Sequence, residues 1–307
     1  FTPYDYDRPS DKETIYGVAG ISVWNGYGLP TNPKQSSAGI SPTQELIDSY
    51  ETADGHPILK KTGDGKYYKD DSHLQPNFNE AAGYDDQNPY ENRDPRFYQS
   101  IYFNGAQRHW DDPEELVKIY DNAPKDSSCA IDKTTIRNTR TGYYMRKYDK
   151  HTSSYETPVI GYIRRFRLAE LYLNYAEACV ECNDLNTAKT YLDKVRTRAG
   201  IPTVETSWNG IATLDQAKLR EIVRQERTIE FYLENQTFWD LRRWKQAAEY
   251  FGVKAKGMNI AGKTIDEFAQ ETEVSFERKF ESPTQYLMPV PLTDVNRNMN
   301  LVQNPGY

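Results

Sequence analysis

Between Arg164 and Arg198 the apolar and small residues return at helical spacing, in the stretch RRFRLAELYLNYAEACVECNDLNTAKTYLDKVRTR. Tyr172, Tyr175, Ala176 and Cys179 mark one helix, and Ala188, Leu192 and Val195 mark a second. Small residues at 176 and 188 let two antiparallel helices approach closely while aromatics and leucines fill the seam, which is the tetratricopeptide pattern. Asn183, between them, suits the left-handed position that ends a helix. One such pair cannot bury its own apolar face, so the pattern predicts stacked neighbours. Leu214 to Leu233 supplies one, with Leu219, Ile222, Val223, Ile229 and Leu233 on a broad face. Asn235 breaks it, and Phe238 to Tyr250 predicts a further helix holding Trp239, Leu241 and Trp244. The tail Tyr286-Leu287-Met288-Pro289-Val290-Pro291 must be extended, because alternating prolines cannot continue a helix; it closes in a turn at Gln303 to Tyr307.

The front of the chain shows little such periodicity. Residues 1–40 read as irregular, with Trp24, Asn25 and Tyr27 in a loop punctuated by Gly and Pro. Thr43 to Tyr50 predicts a short helix, capped by Ser41 or Thr43 with Pro42 at its start. Residues 54–92 read as a long excursion, and such stretches in compact domains are usually functional or mobile. Phe97 to Phe103 and Gly142 to Lys147 are expected to be short strands. The expected fold is mainly α: a tetratricopeptide-like helical stack with long irregular loops and a few short β-strands. A loop-rich part, 1–162, and a helical part, 163–307, together make one domain in this reading.

Composition narrows the function. The 307 residues carry a formal charge of −7, which lacks the basic footprint of a nucleic-acid binder. No apolar run approaches the roughly 20 residues of a membrane span, and the opening Phe1-Thr2-Pro3-Tyr4 reads as mid-protein sequence. With 3 cysteines there is no disulfide framework. Cys179 and Cys182 form a CxxC on one helix, but no second pair or nearby His completes a zinc site, so helix packing is the reading. Tyrosine is skewed: 24 Tyr stand against 11 Phe, and 17 of the 24 lie at or before Tyr162. Tyrosines in loops either cover half-buried surface or build a platform that stacks flat apolar faces and hydrogen-bonds around them.

Three constellations bear on chemistry. Glu226 and Glu230 lie about 6 Å apart along one helix, near the ~5–5.5 Å carboxyl separation of a retaining glycosidase. A catalytic pair needs one pKa raised, whereas Arg224 and Arg227 on the same helix, and Arg242 and Arg243 beyond Asp240, favour ionised carboxylates. An ion-pair network fastening helix to helix is therefore expected, and no catalytic residue. The histidines His56, His73, His109 and His151 are scattered in loops, and no HExxH, GxSxG or phosphate-binding glycine loop appears. Asp64, Asp70, Asp71, Asp85 and Asp86 offer oxygens that suit calcium, but without EF-hand spacing a solvated acidic loop is the preferred reading, with no cofactor and no metal ligands. The candidate ligand-binding residues are loop aromatics and the polar groups beside them: Trp24, Asn25, Tyr27, Tyr67, Tyr68, Tyr84, Asp85 and Tyr90, with Trp110, Gln87 and Asn88 as further possibilities. A sugar's C–H face packs on a ring while its hydroxyls need short polar partners.

Seven segments in order carry a resemblance to a known family: PTQELIDSYETADG at 42–55, NRDPRFYQSIYFNG at 92–105, TGYYMRKYD at 141–149, RRFRLAELYLNYAEA at 164–178, VRTRAGIP at 195–202, RQERTIEFYLENQTFWDLRRW at 224–244, and YLMPVP with QNPGY at the end. Together they resemble the SusD/RagB family of surface nutrient-binding lipoproteins. The resemblance implies non-catalytic capture of an oligosaccharide, or in some cases a peptide, and its delivery to a SusC-type TonB-dependent outer-membrane transporter. It implies the extracellular face of the outer membrane, with a lipid anchor on an N-terminal region that this chain lacks. It also implies that the ERxxEF and DLRRW segments are structural. The alternative is a helical protein- or peptide-binding scaffold with no sugar ligand.

Overall fold

The computed structural model describes residues 12–22, 39–107, 116–120, 138–147, 159–274 and 278–307. In chain order the elements are β1 (Thr14–Ser22), α1 (Gln44–Ser49), α2 (Pro95–Ser100), β2 (Ile101–Tyr102), β3 (Tyr144–Met145), β4 (Val159–Arg167), α3 (Leu168–Glu181), α4 (Leu185–Ala199), α5 (Val204–Trp208), α6 (Gln216–Glu230), α7 (Thr237–Arg243), α8 (Ala247–Phe251), β5 (Lys256–Met258), α9 (Ile265–Phe268), β6 (Glu271–Glu273) and α10 (Leu292–Arg297). The strands pair antiparallel in twos: β1 with β4, β2 with β3, β5 with β6.

The helical stack forms as the periodicity requires. Asn183 stands at φ 60° between α3 and α4, and Asp184 caps α4 by accepting from the Thr187 amide at 3.3 Å. Ala176 and Ala188 are both fully buried, in one cluster with Leu173, Val180, Leu192 and Val195. Helix α6 closes this cluster with Leu219, Ile222 and Val223. Cys179 is buried here, whereas Cys182 is exposed, so only the first of the CxxC pair packs.

Four expectations need correction. The helix pair starts at Leu168; Arg164 to Arg167 belong to β4, where Gly17 faces Arg164 across β1. Ile160, Tyr162, Ile163 and Phe166 are β-branched or aromatic, residue types that suit a strand better than a helical first turn. For the same reason TIYGVAGIS within the supposedly irregular front is strand β1. Phe97 to Ser100 is helical, because Pro95 sits at the helix start and the Asp94 carboxylate accepts from the Arg96 amide at 2.8 Å. Only Ile101 and Tyr102 remain extended. Finally, Phe238 to Tyr250 is two short helices, parted at Lys245 with φ 60°.

The second core cluster takes up part of the tyrosine skew. Tyr50, Tyr102, Tyr143 and Tyr144 are fully buried in it. They pack with Ile47, Phe97 and Ile101, and with Ile229, Tyr232, Met258 and Phe268 from the back of the chain.

Candidate functional site

The segment between α1 and α2 carries five of the candidate ligand residues. Isolated bridges join Leu59 to Phe78 and Tyr68 to Pro76, and Asn77 N donates to Tyr67 O at 3.0 Å. A small cluster of Ile58, Leu59 and Tyr68, with Phe78 and Tyr84 against it, holds the segment together.

The candidates fall into different environments. Trp24, Asn25, Tyr27 and Trp110 lie outside the described residues. Tyr68 is buried; its hydroxyl donates to Asp48 Oδ2 at 2.8 Å and its ring stacks on His73 at 4.3 Å. Tyr90 packs on Phe103 at 4.4 Å and on the core cluster, its hydroxyl 3.4 Å from that of Tyr143. Tyr84 is half-buried, 5.3 Å from Phe78, with the Arg93 guanidinium 5.4 Å from its ring. These three pin the segment, and Tyr68 and Tyr90 are not free platforms, because packing contacts already occupy their rings. Asp85 is exposed but turned inward on its own loop, accepting from Gln87 N at 3.0 Å and Asn88 Nδ2 at 2.8 Å. Tyr67 is different. It is 38% exposed, and Lys61 Nζ stands 5.6 Å from its ring centroid. Burial raises the pKa of its hydroxyl, against the pull of the Lys61 charge. Among the five, Tyr67 is the ring left open beside charged groups.

The loop aspartates serve the loop. Asp64 accepts from the Thr62 hydroxyl, Asp70 from the amides of Leu74 and Gln75, and Asp71 pairs with Lys66 at 2.7 Å. Among the described residues no group of three or more His, Cys, Asp or Glu side chains is placed to hold a metal ion.

Glu226 and Glu230, the pair at glycosidase-like spacing, are buried inside a cage of guanidinium groups. Arg96 donates to Glu226 at 2.5 Å and to Glu230 at 3.0 Å, and also grips Asp94 at 2.6 Å. Arg196 bridges Glu51 at 3.0 Å and Glu226 at 3.2 Å. Arg167 reaches Glu230 at 2.7 Å, Glu234 at 2.7 Å and Glu13 at 2.6 Å, and Arg198 also binds Glu230. Burial alone would raise the pKa of Glu230, but Arg167, then Arg198 and Arg96, hold it well below the usual carboxylate range. A carboxyl held ionised this way cannot act as a general acid near neutral pH. Nearby, Arg227 grips Asp240 at 2.8 and 3.1 Å, as the expected helix-to-helix network requires.

Arg224 departs from that expectation. Its guanidinium makes no ion pair among the described residues, and its Nε is buried with no hydrogen-bond partner. It lies over the Trp244 ring at 5.0 Å, with Arg243 also 4.9 Å from that ring's centroid. Sequence reading folded Arg224 into the network because it neighbours Glu226. The missed signal was arithmetic on the neighbouring face: Arg220, Arg224, Arg227 and Arg243 share three carboxylates, Glu177, Glu181 and Asp240.

A sequence model of the SusD family matches residues 3–307, and the chain belongs to that family. A curated relative, SusD-like protein P2 of Formosa agariphila, is 30% identical over 144 residues, which cover 46% of this chain and 25% of that protein. The crystal structure of a SusD-like protein from Bacteroides fragilis superposes with a TM-score of 0.70 at 29% identity, over 97% of this chain and 55% of that one. A second B. fragilis structure, described as a SusD-like carbohydrate binding protein, gives a TM-score of 0.68 at 27% identity, over 95% of this chain and 55% of that one. The chain thus spans a quarter of the curated relative and about half the length of these solved structures.

Proposed function

We propose that this chain takes part in non-catalytic capture of an oligosaccharide at the cell surface, for delivery to a SusC-type TonB-dependent outer-membrane transporter. The observation that carries the reading is the similarity, along nearly the whole chain, to a B. fragilis protein described as carbohydrate binding. Tyr67, open beside Lys61 and the charged face of α6, is the ring in the described structure that best fits a sugar platform; Trp24 and Tyr27 join it on sequence grounds. The fully paired state of Glu226 and Glu230 favours binding without turnover. The proposed site is the extracellular face of the outer membrane, reached through a lipid anchor; no helix among the described residues is long and apolar enough to cross a membrane.

The second reading, a protein- or peptide-binding scaffold, is favoured by one observation. Helix α3 leaves Leu171 and Tyr175 exposed, at 47% and 48%, one turn apart on its outer face. A glycan array probed with this chain separates the two, since a scaffold without sugar ligands gives no hit. On the glycan identified, calorimetry of Tyr67→Ala and Trp24→Ala should show at least one variant weakened about ten- to a hundredfold. Unchanged affinity in both moves the ligand surface elsewhere.

A further inference from the structure

Where α6 and α7 meet α3, cations outnumber the carboxylates that face them. Arg220 is spent on Glu181, with bonds of 2.6 and 2.7 Å. Arg243 is spent on Glu177, with bonds of 2.6 and 2.5 Å, and reaches Asp240 at 2.8 Å. Glu177 further accepts the Trp244 indole N–H at 2.7 Å, so its oxygens are committed. Arg224 is left over. Burial lowers its pKa, and the like charges of Arg220 and Arg243 add to this against the pull of Glu177 and Glu181. A guanidinium still stays charged at neutral pH.

The geometry suits it to an incoming oxyanion. With the guanidinium over an indole and Nε buried, the two terminal Nη groups stay open, and together they can meet two oxygens of one acid group. The ring also provides a flat apolar surface beside the charge. Tyr67 joins this face of α6 through Lys61, whose ammonium is 5.6 Å from the Tyr67 ring centroid and 2.8 Å from Glu221, three residues before Arg224 on the helix.

We infer that Arg224, stacked on Trp244, is a subsite for an acidic group of the captured glycan: a uronate carboxylate or a sulfate ester. The inference rests on the capture reading above and sharpens it to acidic oligosaccharides.

The test is a glycan array carrying matched pairs: uronate oligosaccharides with their methyl esters, and sulfated galactose oligosaccharides with their desulfated forms, beside neutral hexose oligomers. The expected result is at least tenfold tighter binding of an acidic member than of its neutral partner, and the two kinds of pair tell carboxylate from sulfate. In Arg224→Gln that ratio should fall to about one, and in Arg224→Lys it should be partly kept, both variants being compared at a melting temperature near that of the wild type. Hits confined to neutral glycans, or a ratio unchanged in Arg224→Gln, overturn the inference and leave capture standing. An array with no hit of any kind overturns both.

Discussion

Two groups of buried carboxylates solve burial differently. Around α6, Glu226 and Glu230 meet four guanidinium groups, those of Arg96, Arg167, Arg196 and Arg198. Between α1 and the β5–β6 hairpin, Glu45, Asp48 and Glu271 gather with fewer cations. Arg278 reaches Glu45 at 3.2 Å, Lys256 turns its ammonium to Glu273 at 3.4 Å, and Glu271 Oε2 is buried with no partner. The consequence is a proton. Burial, then the charges of Asp48 and Glu45, push Glu271 up to about 8. Burial raises Asp48 to about 6 even though Gln44 and Tyr68 donate to it. Burying a carboxylate therefore does not decide its charge; the number of cations within reach does. The contrast has one exception inside the cage, since Glu51 is raised to about 7 by burial, with Glu226 and Asp94 opposing the help it gets from Arg196.

The largest effect should come from breaking the cage. Glu230→Gln removes the negative charge that Arg96, Arg167 and Arg198 share and leaves these three cations one carboxylate short. A cost of about 3–5 kcal/mol in chemical denaturation is expected. A loss under 1 kcal/mol would show that the cage is not held by charge. Next in size comes an apolar control. Ala176→Leu forces extra volume into the α3–α4 seam, where Ala176 and Ala188 have no exposed surface. It should cost about 1–3 kcal/mol, and the cost should be the same at pH 5 and pH 8, since no titrating group is touched. A pH-dependent cost would mean that the overpacked seam disturbs the cage next to it.

The same chemical change should act with opposite sign in the other group. Glu271 has a folded-state pKa above the usual 4.5, so its contribution is fully present below that value and is lost as pH rises through about 8. Glu271→Gln keeps the neutral form at every pH. It should leave stability nearly unchanged at pH 5 and raise it at pH 8.5, by about 2–4 °C in melting temperature if the gain is about 1 kcal/mol. Glu230 runs the other way: its depressed pKa gives stability that is present above 4.5 and lost as pH falls through the lowered value. A Glu271→Gln melt that tracks wild type from pH 5 to 8.5 would sink this half of the comparison.

What could be read from the sequence follows the same division. The helix seam was legible because small and apolar residues repeat at a period that only one packing satisfies. The family segments were legible as a set, and the structure gives a reason: six of the seven converge on the cage. Glu51 and Gly55, Asp94 and Arg96, Lys147, Arg167, Arg196 and Arg198, and Glu226, Glu230 and Glu234 come from six separate segments and meet there. Gly55 shows how narrow the fit is, with φ 74°, its carbonyl 3.2 Å from Arg196 Nη2, and room for no Cβ, which would sit 2.2 Å from that nitrogen. The tyrosines were not legible one by one. Tyr67 and Tyr68 are adjacent in sequence, yet one is open and the other buried, because consecutive residues of an extended segment point to opposite sides. No periodicity runs along residues 54–92 to say which parity faces in. Arg224 was missed because unpaired charge is a property of neighbours in space.

The smallest expected effect isolates one hydrogen bond at the edge of the proton-holding group. Tyr68→Phe keeps the ring against His73 and removes only the hydroxyl that donates to Asp48 at 2.8 Å. With one donor gone, Asp48 keeps the bond from Gln44 Nε2 at 2.8 Å, and its charged form loses part of its support. Two things follow. The loss should be on the order of 1 kcal/mol at pH 8, where Asp48 is ionised and the bond is charge-assisted. It should shrink at pH 5, where Asp48 carries a proton and the hydroxyl faces a neutral acceptor. Denaturation of the variant at the two pH values decides it. An equal loss at both would mean that Asp48 keeps one charge state across that range.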